Sequence, residues 1–576
     1  MDSLEFTTQA SAADGSAHSV ALNFSNRRRK FALTVVALAF VMDLLDTTIV
    51  NIAIPSIQEN LHATTTMVEW FIAGYALAFS LLLITGGRLG DTYEYKRLFQ
   101  GGVGAFALAS LFCGLAQNPH QLIAARVVQG MAAAMMVPQV LALTQIMYPP
   151  HKRIRVQALF GLMGGTSAAL GPVLGAFLIH SNIFGLEWRP IFLINLPVAV
   201  LALIAGQFAL PAGRSTHPLR PDLPGAAFLT VILFLIMFPL LEGGTLGWPW
   251  YVFVSIGTAL LLVPFFVRYL NWKSARDGAP LLIPQIFRER AFSIGLIVSF
   301  IFNLGVSGYV LFFTLLVQVG LGYGVLRAGM YSAPFAVGVF LSLGLVGKRF
   351  MPLLGRRMIP VGAAMMLIGM VTLAILLPSV PPDQTFAMRI AIPQLINGIG
   401  LGTFLTAMSP IILSNVEVRH AGIAAGIMNS VQQFCVAMGI AVVGGIFFAL
   451  LAHGVDRKIE AALPRLLTDS TGQFVNAGSQ DSIRTRLRSC SYAELRLSAD
   501  SAAEEQAACA SVLKHPDETS PVDQQVLKES AIVRTTTYGW AFRWAIALEV
   551  CLLSASSLLS FALPRELKIF ENPTVH

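Results

Sequence analysis

The chain has 576 residues, of which 55% are hydrophobic and only 12% are charged, and its net charge is +8. Soluble domains carry about 25% charged residues, so this composition excludes an ordinary water-soluble protein and favours a lipid bilayer as its surroundings. The basic residues recur between apolar runs and form no single patch. This spacing excludes a nucleic-acid interface and favours contact with membrane lipid.

The N-terminal segment is polar and lacks the apolar core of a signal peptide. We therefore predict a cytoplasmic tail over residues 1–30 and an uncleaved first span. Fourteen apolar segments follow, and each is long enough to cross the hydrocarbon core, which takes about 20 residues. They lie at about 31–54, 69–88, 98–117, 121–147, 156–180, 189–210, 223–242, 249–270, 291–318, 328–347, 357–378, 388–413, 420–452 and 540–563.

Lys and Arg occur in alternate loops, so those between the spans fall almost entirely on one side of the predicted membrane. They precede the first span and follow the second, fourth, sixth, eighth, tenth, twelfth and last spans, with Arg327 as the main exception. Because Lys and Arg are retained in the cytoplasm, both termini, including a tail over 564–576, are predicted to be cytoplasmic. The expected location is the plasma membrane, and specifically a bacterial inner membrane.

The spans form an all-α membrane protein with two six-helix bundles, at 31–210 and 291–563, joined by a linker at 211–290 that carries two extra central helices. The second span of each bundle is followed by a similar loop, "GRLGDTYEYKR" and "GKRFMPLLGRR". The loops align without a gap and pair Gly87 with Gly347, Arg88 with Lys348, Lys96 with Arg356, and Arg97 with Arg357. Two similar halves are typical of transporters, in which the substrate site lies near the membrane midplane.

Four of the charged residues within spans are candidates for a functional site. Asp43 and Asp46 share one face of the first helix, Arg126 lies in the fourth span and Glu549 in the last. Charged groups in a membrane are costly and face cavities or partners, and low polarity favours a protonated carboxyl group. These residues are therefore candidates for proton coupling and substrate binding. The alternatives are helix-packing hydrogen bonds for the acids and a side chain of Arg126 that reaches the outer interface.

The loop after the second span is rich in charge. It contains Gly87, Arg88, Asp91, Lys96 and Arg97. A charged loop at a cytoplasmic mouth can hold two halves together through ion pairs and a helix dipole. Retention of basic residues in the cytoplasm explains the Arg and Lys residues equally well, but it does not require Asp91.

Small residues form a stripe along one face of the fifth span. The members singled out are Gly161, Gly164, Gly171 and Gly175, with Pro172 beside them. Such a stripe allows close backbone approach, and proline bends a helix. We expect a tight contact at the boundary between the two halves.

A polar segment at 453–538 separates the last two spans and is predicted to be external. It contains Cys490 and Cys509, whereas the other three cysteines lie within spans. Two thiols in one external segment predict a disulfide, and two unpaired thiols are the alternative.

Several motifs resemble those of the major facilitator superfamily, and in particular its fourteen-span drug:proton antiporters. They are "GGRLGDTYEYKR", "LDTTIVNIAIP" from Leu45, "RVVQG" from Arg126 and "GPVLGAF" from Gly171. The resemblance implies that Asp46 is the first-span acid, that Arg126 assists proton transfer, that Asp91 gates and that the fifth span prevents leak. One departure is that Thr92, Glu94 and Tyr95 replace the usual Arg, Gly and Arg, which implies a weaker or differently paired loop contact.

Motifs for other chemistry are missing from the sequence: there is no ATP-binding loop, metal-ligand cluster or nucleophile–base pair. We therefore expect a monomeric transporter with no cofactor or metal and no enzymatic activity, driven by a proton gradient. The predicted function is a proton-coupled antiporter that exports hydrophobic or cationic drugs, dyes and biocides, and so confers antibiotic resistance. The alternatives are an exporter of a metabolite, siderophore or lipid, and a membrane receptor or assembly protein that acts through the external segment.

Overall fold

A computed structural model describes residues 25–213, 221–243, 247–278, 280–346, 350, 353–376, 386–416, 421–466, 477–495, 509 and 521–564. The predicted tails at 1–30 and 564–576 lie almost wholly outside these residues, as do Gly347 and Lys348 of the internal repeat.

The described chain is helical, and each of the fourteen predicted spans falls on a helix. Thirteen helices in these ranges are long and apolar enough to cross a membrane, and the 20-residue helix α3 coincides with the third predicted span. The helices are α1 (Asn26–Leu61), α2 (Thr65–Tyr93), α3 (Tyr95–Gly114), α4 (Pro119–Met147), α5 (Pro150–His180), α6 (Pro190–Leu193 and Asn195–Ala209), α7 (Leu223–Glu242), α8 (Trp250–Asp277), α9 (Arg290–Val306, Tyr309–Leu315 and Leu316–Gly320), α10 (Val325–Leu341 and Ser342–Val346), α11 (Met358–Leu376), α12 (Phe386–Leu413), α13 (Ala421–Gly439, Ile440–Gly444 and Gly445–Leu466), α14 (Ala477–Leu495) and α15 (Pro521–Ser560).

Polar caps mark where several spans begin. The side chains of Ser25, Thr64 and Asn118 accept hydrogen bonds from backbone N–H groups in the first turns of α1, α2 and α4. These N–H groups have no partner within the helix, so a short polar side chain stabilises the helix start. Asn118 is followed by Pro119, whose fixed φ angle suits the first helical position.

The two bundles use the same helix pairings. In the N-terminal bundle α4 packs on α2 and α3, and α1 packs on α6. In the C-terminal bundle α12 packs on α10 and α11, and α9 packs on α15. The halves meet where α2 packs on α13 and where α5 packs on α10. Each of these contacts joins the second helix of one bundle to the fifth helix of the other.

The extra helices α7 and α8 pack on each other, and α7 also covers the seam between the halves. Met237 and Leu241 of α7 pack in one apolar cluster with Ala73 of α2 and Ala437 of α13. The Trp70 indole N–H donates to Glu242 Oε1 over 2.8 Å. The linker is therefore joined to both bundles.

Helices enter the predicted external segment 453–538 from both sides. α13 continues to Leu466 and α15 begins at Pro521, about 20 residues before the predicted start of the last span. Hydropathy marks only the apolar part of a helix, so it missed the polar turns beyond the membrane. Cys490 of α14 is bonded to Cys509, with Cα atoms 5.1 Å apart, as predicted.

Candidate functional site

A buried ion pair joins α1 to α4. Arg126 Nη1 lies 2.5 Å from Asp46 Oδ2, and the exposed fraction of each side chain is 1% or less. The sequence analysis predicted both residues as site residues, and the structure brings them together. Removing two charges from water is costly, so this pair needs further hydrogen bonds to persist.

Neutral groups from three more helices surround the pair. Asp46 Oδ1 accepts hydrogen bonds from Gln129 Nε2 and Asn195 Nδ2, each over 2.8 Å. Both donors also contact the Ser110 hydroxyl, at 2.8 and 3.2 Å. Arg126 Nε donates to the Phe71 carbonyl over 3.0 Å. Helices α1, α2, α3, α4 and α6 therefore contribute to one hydrogen-bonded network around the Asp46–Arg126 pair.

Asp43 lies next to this network and is held by one aromatic residue. The Tyr75 hydroxyl donates to Asp43 Oδ1. The Tyr75 ring also lies 4.3 Å from the Arg126 guanidinium carbon, in the geometry of a cation–π contact. Tyr75 therefore connects Asp43 with the Asp46–Arg126 ion pair.

Sequence reasoning missed Tyr75, Ser110, Gln129 and Asn195. Gln129 stands three residues after Arg126, on the same helix face, and could have been found from that spacing. The other three are single polar residues in apolar helices, and nothing in their local sequence shows that they meet.

The loop between α2 and α3 lies on what we call the basic side, the membrane side that carries Arg88, Lys96, Arg97 and Lys152; the opposite side is the far side. Asp91 Oδ1 accepts a hydrogen bond from the Tyr95 hydroxyl over 2.7 Å. Arg88 donates to the carbonyls of Pro280 and Leu281 in the linker. The predicted contact of Asp91 with a C-half helix is not among the contacts of the described residues, and its gating role stays a prediction.

Glu94 takes up an unusual backbone conformation in this loop. Its φ is 114°, a value that residues with a Cβ rarely adopt. Its carboxylate forms an ion pair with Arg97, with Oε2 and Nε 3.0 Å apart.

Lys96 and its repeat partner Arg356 make equivalent contacts. Lys96 Nζ donates to the Gln207 carbonyl in the last turn of α6 over 2.7 Å. Arg356 donates to the carbonyls of Phe561 and Leu563, just after α15. Each cation therefore binds the C-terminal end of the sixth helix of its own bundle, where carbonyls lack helical partners and the dipole favours positive charge.

The glycine stripe of α5 does not lie where it was expected. A Cβ on Gly171 would collide with Thr48 Oγ1, and one on Gly175 would lie 2.6 Å from Ile52 Cγ2 of α1. These glycines therefore pack within the N-terminal bundle. The boundary between the halves lies on the adjacent face, where the Pro172 carbonyl and Ala176 contact Gly329 of α10. Gly164 lies near Leu44 of α1, and Gly161 lies on the same helix.

Two further contacts hold the halves together near the far side. Gln318 Nε2 of α9 donates to the Ile52 carbonyl of α1 over 3.0 Å. Glu69 Oε1 of α2 would lie 2.9 Å from a Cβ on Gly444 of α13. With the contact at Gly329, these place the far ends of the two bundles in direct contact.

Glu549 lies in the C-terminal bundle, apart from the other predicted charges. It is fully buried on α15 and near Tyr309 of α9, whose hydroxyl donates to Gln394 Oε1 of α12 over 2.6 Å. The sequence analysis proposed Glu549 without a partner, and the structure assigns it this polar surrounding.

Two similar helical bundles, each with ionisable groups buried inside it, define a multi-pass membrane transporter, not an enzyme. The family comparison agrees with this class. The Major Facilitator Superfamily model matches residues 36–442, and the chain belongs to that family.

Its relatives include named antibiotic transporters. It is 33% identical to the probable actinorhodin transporter of Streptomyces coelicolor, over 93% of this chain and 92% of that protein. It is 30% identical to the tetracenomycin C resistance and export protein of Streptomyces glaucescens, over 75% and 79%. Among solved structures, a bacterial homologue of the human lysosomal transporter Spinster matches with a TM-score of 0.59 and 14% identity, over 94% of this chain and 98% of that one. At that identity the likeness concerns the fold alone.

Proposed function

We propose that the protein is a proton-coupled antiporter that exports hydrophobic and cationic drugs, dyes and biocides by alternating access. One observation carries the proposal: the buried Asp46–Arg126 ion pair, with its carboxylate held by Gln129 and Asn195. A carboxylate that is enclosed and joined to several helices can couple its own protonation to helix movement.

The coupling follows from the contacts of Asp46. A proton that adds to this carboxylate removes its negative charge and weakens the ion pair. Arg126 keeps two acceptors, the Phe71 carbonyl at 3.0 Å and Gln129 Oε1 at 2.6 Å, so it stays solvated by the protein. Breaking a buried ion pair costs about 3–5 kcal/mol, whereas one proton moving through about 100 mV supplies about 2.3 kcal/mol before any pH term. The two energies are similar enough for proton binding to drive the change.

Substrate binding involves the same face of α1 in this scheme. Asp43 lies one turn from Asp46 and holds the Tyr75 hydroxyl. A cationic substrate near these two acids competes with the proton, which is the requirement for exchange. Aromatic rings such as that of Tyr75 favour a cation or a flat apolar ring.

The relatives support export of antibiotic-type compounds. Puromycin resistance protein pur8 of Streptomyces alboniger is 33% identical over 73% of this chain. The probable actinorhodin transporter matches over 93% of it. Because this match covers almost the whole chain, it favours a second candidate function, the export of one secondary metabolite. On either function, the basic side faces the cytoplasm of a bacterial inner membrane, and both termini are cytoplasmic.

The test is dye transport by the purified chain in proteoliposomes under an imposed pH gradient. Asp46→Asn keeps the size and the hydrogen-bonding capacity of the side chain but cannot bind the proton. We expect it to reduce gradient-driven accumulation of a cationic dye to the level seen with a proton ionophore, while dye exchange without a gradient persists. Asp481→Asn, on the exposed surface of α14, is the control and should leave accumulation unchanged. Normal accumulation by Asp46→Asn would refute the proposal.

A further inference from the structure

The fourth helices of the two bundles carry the same five-residue pattern. Arg126-Val-Val-Gln129-Gly130 on α4 corresponds to Gln394-Leu-Ile-Asn397-Gly398 on α12. A Cβ on Gly130 would collide with the Tyr75 carbonyl of α2, and one on Gly398 with the Phe335 carbonyl of α10. Because α2 and α10 are the second helices of their bundles, the two patterns occupy equivalent positions.

A polar cluster therefore lies in the C-terminal bundle where the N-terminal bundle has its ion pair. Tyr309 comes from the first helix of that bundle and binds Gln394, as Asp46 binds Arg126. Glu549 comes from the sixth helix, as Asn195 does in the N-terminal bundle. Asn397 lies close to the Tyr309 hydroxyl, but its amide N and O form no hydrogen bond of normal geometry with described residues.

The two clusters differ in how the acid is balanced. The arginine position of the N-terminal cluster is taken by neutral Gln394. Neither carboxyl oxygen of Glu549 has a hydrogen-bond partner in the described part of the chain, and the residue is 0% exposed. An ionised carboxyl group in this position would cost several kcal/mol, because neither a cation nor a donor compensates for the lost water.

The neighbouring helices supply no cation at this depth among the described residues. α15 packs on α9, α11, α13 and α14, and Tyr309 of α9 is the ionisable group that interacts with Glu549. The other ionisable groups on these elements lie elsewhere along them. They are Arg290 at the start of α9, Arg356 and Arg357 just before α11, Cys435, the charged residues from His453 to Glu460 and Arg465 on α13, the charged residues of external α14, and Asp523, Lys528, Glu529, Arg534, Tyr538, exposed Arg543 and exposed Cys551 on α15.

We propose that Glu549 is a second proton-binding site, loaded in the conformation described and emptied when the C-terminal bundle opens. The proposal rests on proton-driven antiport as its frame and adds one proton to each transport cycle. A proton from water on one side adds to one carboxylate oxygen and removes its charge, and it later returns to water on the other side. A proton fits this site because it neutralises the one carboxyl group there, which has neither a cation nor a hydrogen-bond donor beside it among the described residues.

The first experiment measures how far the transporter can concentrate a dye. With the membrane potential clamped at zero and a pH difference of one unit, each coupled proton supplies about a tenfold accumulation. We expect Glu549→Gln to lower the steady dye ratio about tenfold and to leave the KM for the dye unchanged. The exposed control Glu289→Gln should match the parent. An unchanged ratio would overturn the proposal. If the KM for cationic dyes alone were raised as well, Glu549 would be a substrate counter-charge.

The second experiment measures protonation directly and does not depend on transport. It therefore remains informative if Glu549→Gln folds but does not transport the dye. The infrared spectrum of the purified parent should contain a band from a neutral, buried carboxylic acid that is absent from Glu549→Gln and present in Glu289→Gln. If Asp46→Asn abolishes coupling and this band persists, both proposals stand. If the band is missing from the parent, the second site is refuted while proton coupling through Asp46 is unaffected.

Discussion

Asp46 illustrates how one charge is maintained inside an apolar bundle. Its two oxygens accept three hydrogen bonds, from Arg126, Gln129 and Asn195. Charge-assisted hydrogen bonds are roughly twice as strong as neutral ones, and the amide groups set the direction of the carboxylate. Glu549 is the opposite case, because the same protein buries a carboxyl group with no donor among its described residues. The difference in partners is the physical reason to assign these two acids different protonation states in one conformation.

Glu94 gives a prediction at the same scale. Its φ of 114° is strained for any residue with a Cβ, at about 1–3 kcal/mol, whereas an ion pair with highly exposed Arg97 contributes at most about 1 kcal/mol. We therefore expect Glu94→Gly to raise the thermal unfolding temperature in detergent. Glu94→Ala is the matched control: it removes the ion pair but keeps the strain, so it should lower the unfolding temperature slightly. A lower temperature for Glu94→Gly would show that the loop is not strained.

At the scale of helices, the internal repeat is expressed as repeated contacts. Lys96 and Arg356 bind the ends of α6 and α15, so the aligned basic residues fasten the sixth helix of each bundle. This structural role explains a basic residue at Lys96 without a role in gating, which stays a prediction. The α5 glycines likewise act within one bundle, where they allow close approach to α1, the helix that carries Asp43 and Asp46.

Gly171 provides a prediction about that approach. A Cβ there would collide with Thr48 Oγ1 and would lie 3.3 Å from the Ile49 backbone nitrogen, so Gly171→Ala must push α1 and α5 apart. Overpacking of this kind costs about 1–3 kcal/mol. We expect a lower unfolding temperature and slower dye transport. The control is Gly104→Ala on α3, where a Cβ meets nothing within 4 Å and the better helix propensity of alanine should leave stability equal or higher. Equal stability of the two variants would contradict the close contact.

At the scale of the whole molecule, three contacts join the two bundles near the far side. Ile52 with Gln318, Glu69 with Gly444, and Ala176 with Gly329 join the two bundles at that side. The extra helices add to the seam, since α7 packs in one cluster with α2 and α13. The alternating access that we propose requires that these contacts separate in each cycle.

A reversible cross-link tests that requirement. A Cβ on Gly329 would lie 2.5 Å from the Ala176 Cβ, and a disulfide needs about 3.5–4.5 Å between Cβ atoms, so a small separation of the helices suffices. We expect the double variant Ala176→Cys with Gly329→Cys to lose at least tenfold of its transport rate on oxidation and to regain it on reduction. Each single variant should be insensitive to oxidant. Full transport by the oxidised double variant would show that the far side does not need to open.

The sequence alone determined what depends on composition and on local periodicity. Long apolar runs specify membrane helices, and the basic residues in alternate loops support a count of fourteen spans. The likeness to a transporter family followed from short motifs at the expected spans. The motif spacing also selected Asp46 and Arg126, and the placement of two thiols in one polar segment predicted the Cys490–Cys509 bond.

Only the tertiary structure decided which side chains meet. Three helices carry Tyr75, Ser110 and Asn195. Contact among these residues depends on helix rotation and packing, and hydropathy carries no information on either. The same limit explains why the α5 glycines were assigned to the wrong neighbour: a stripe of small residues predicts a close approach but does not name the partner helix. The C-terminal cluster around Glu549 became visible for the same reason, because equivalence between two bundles is a relation in space that weak sequence similarity does not reveal.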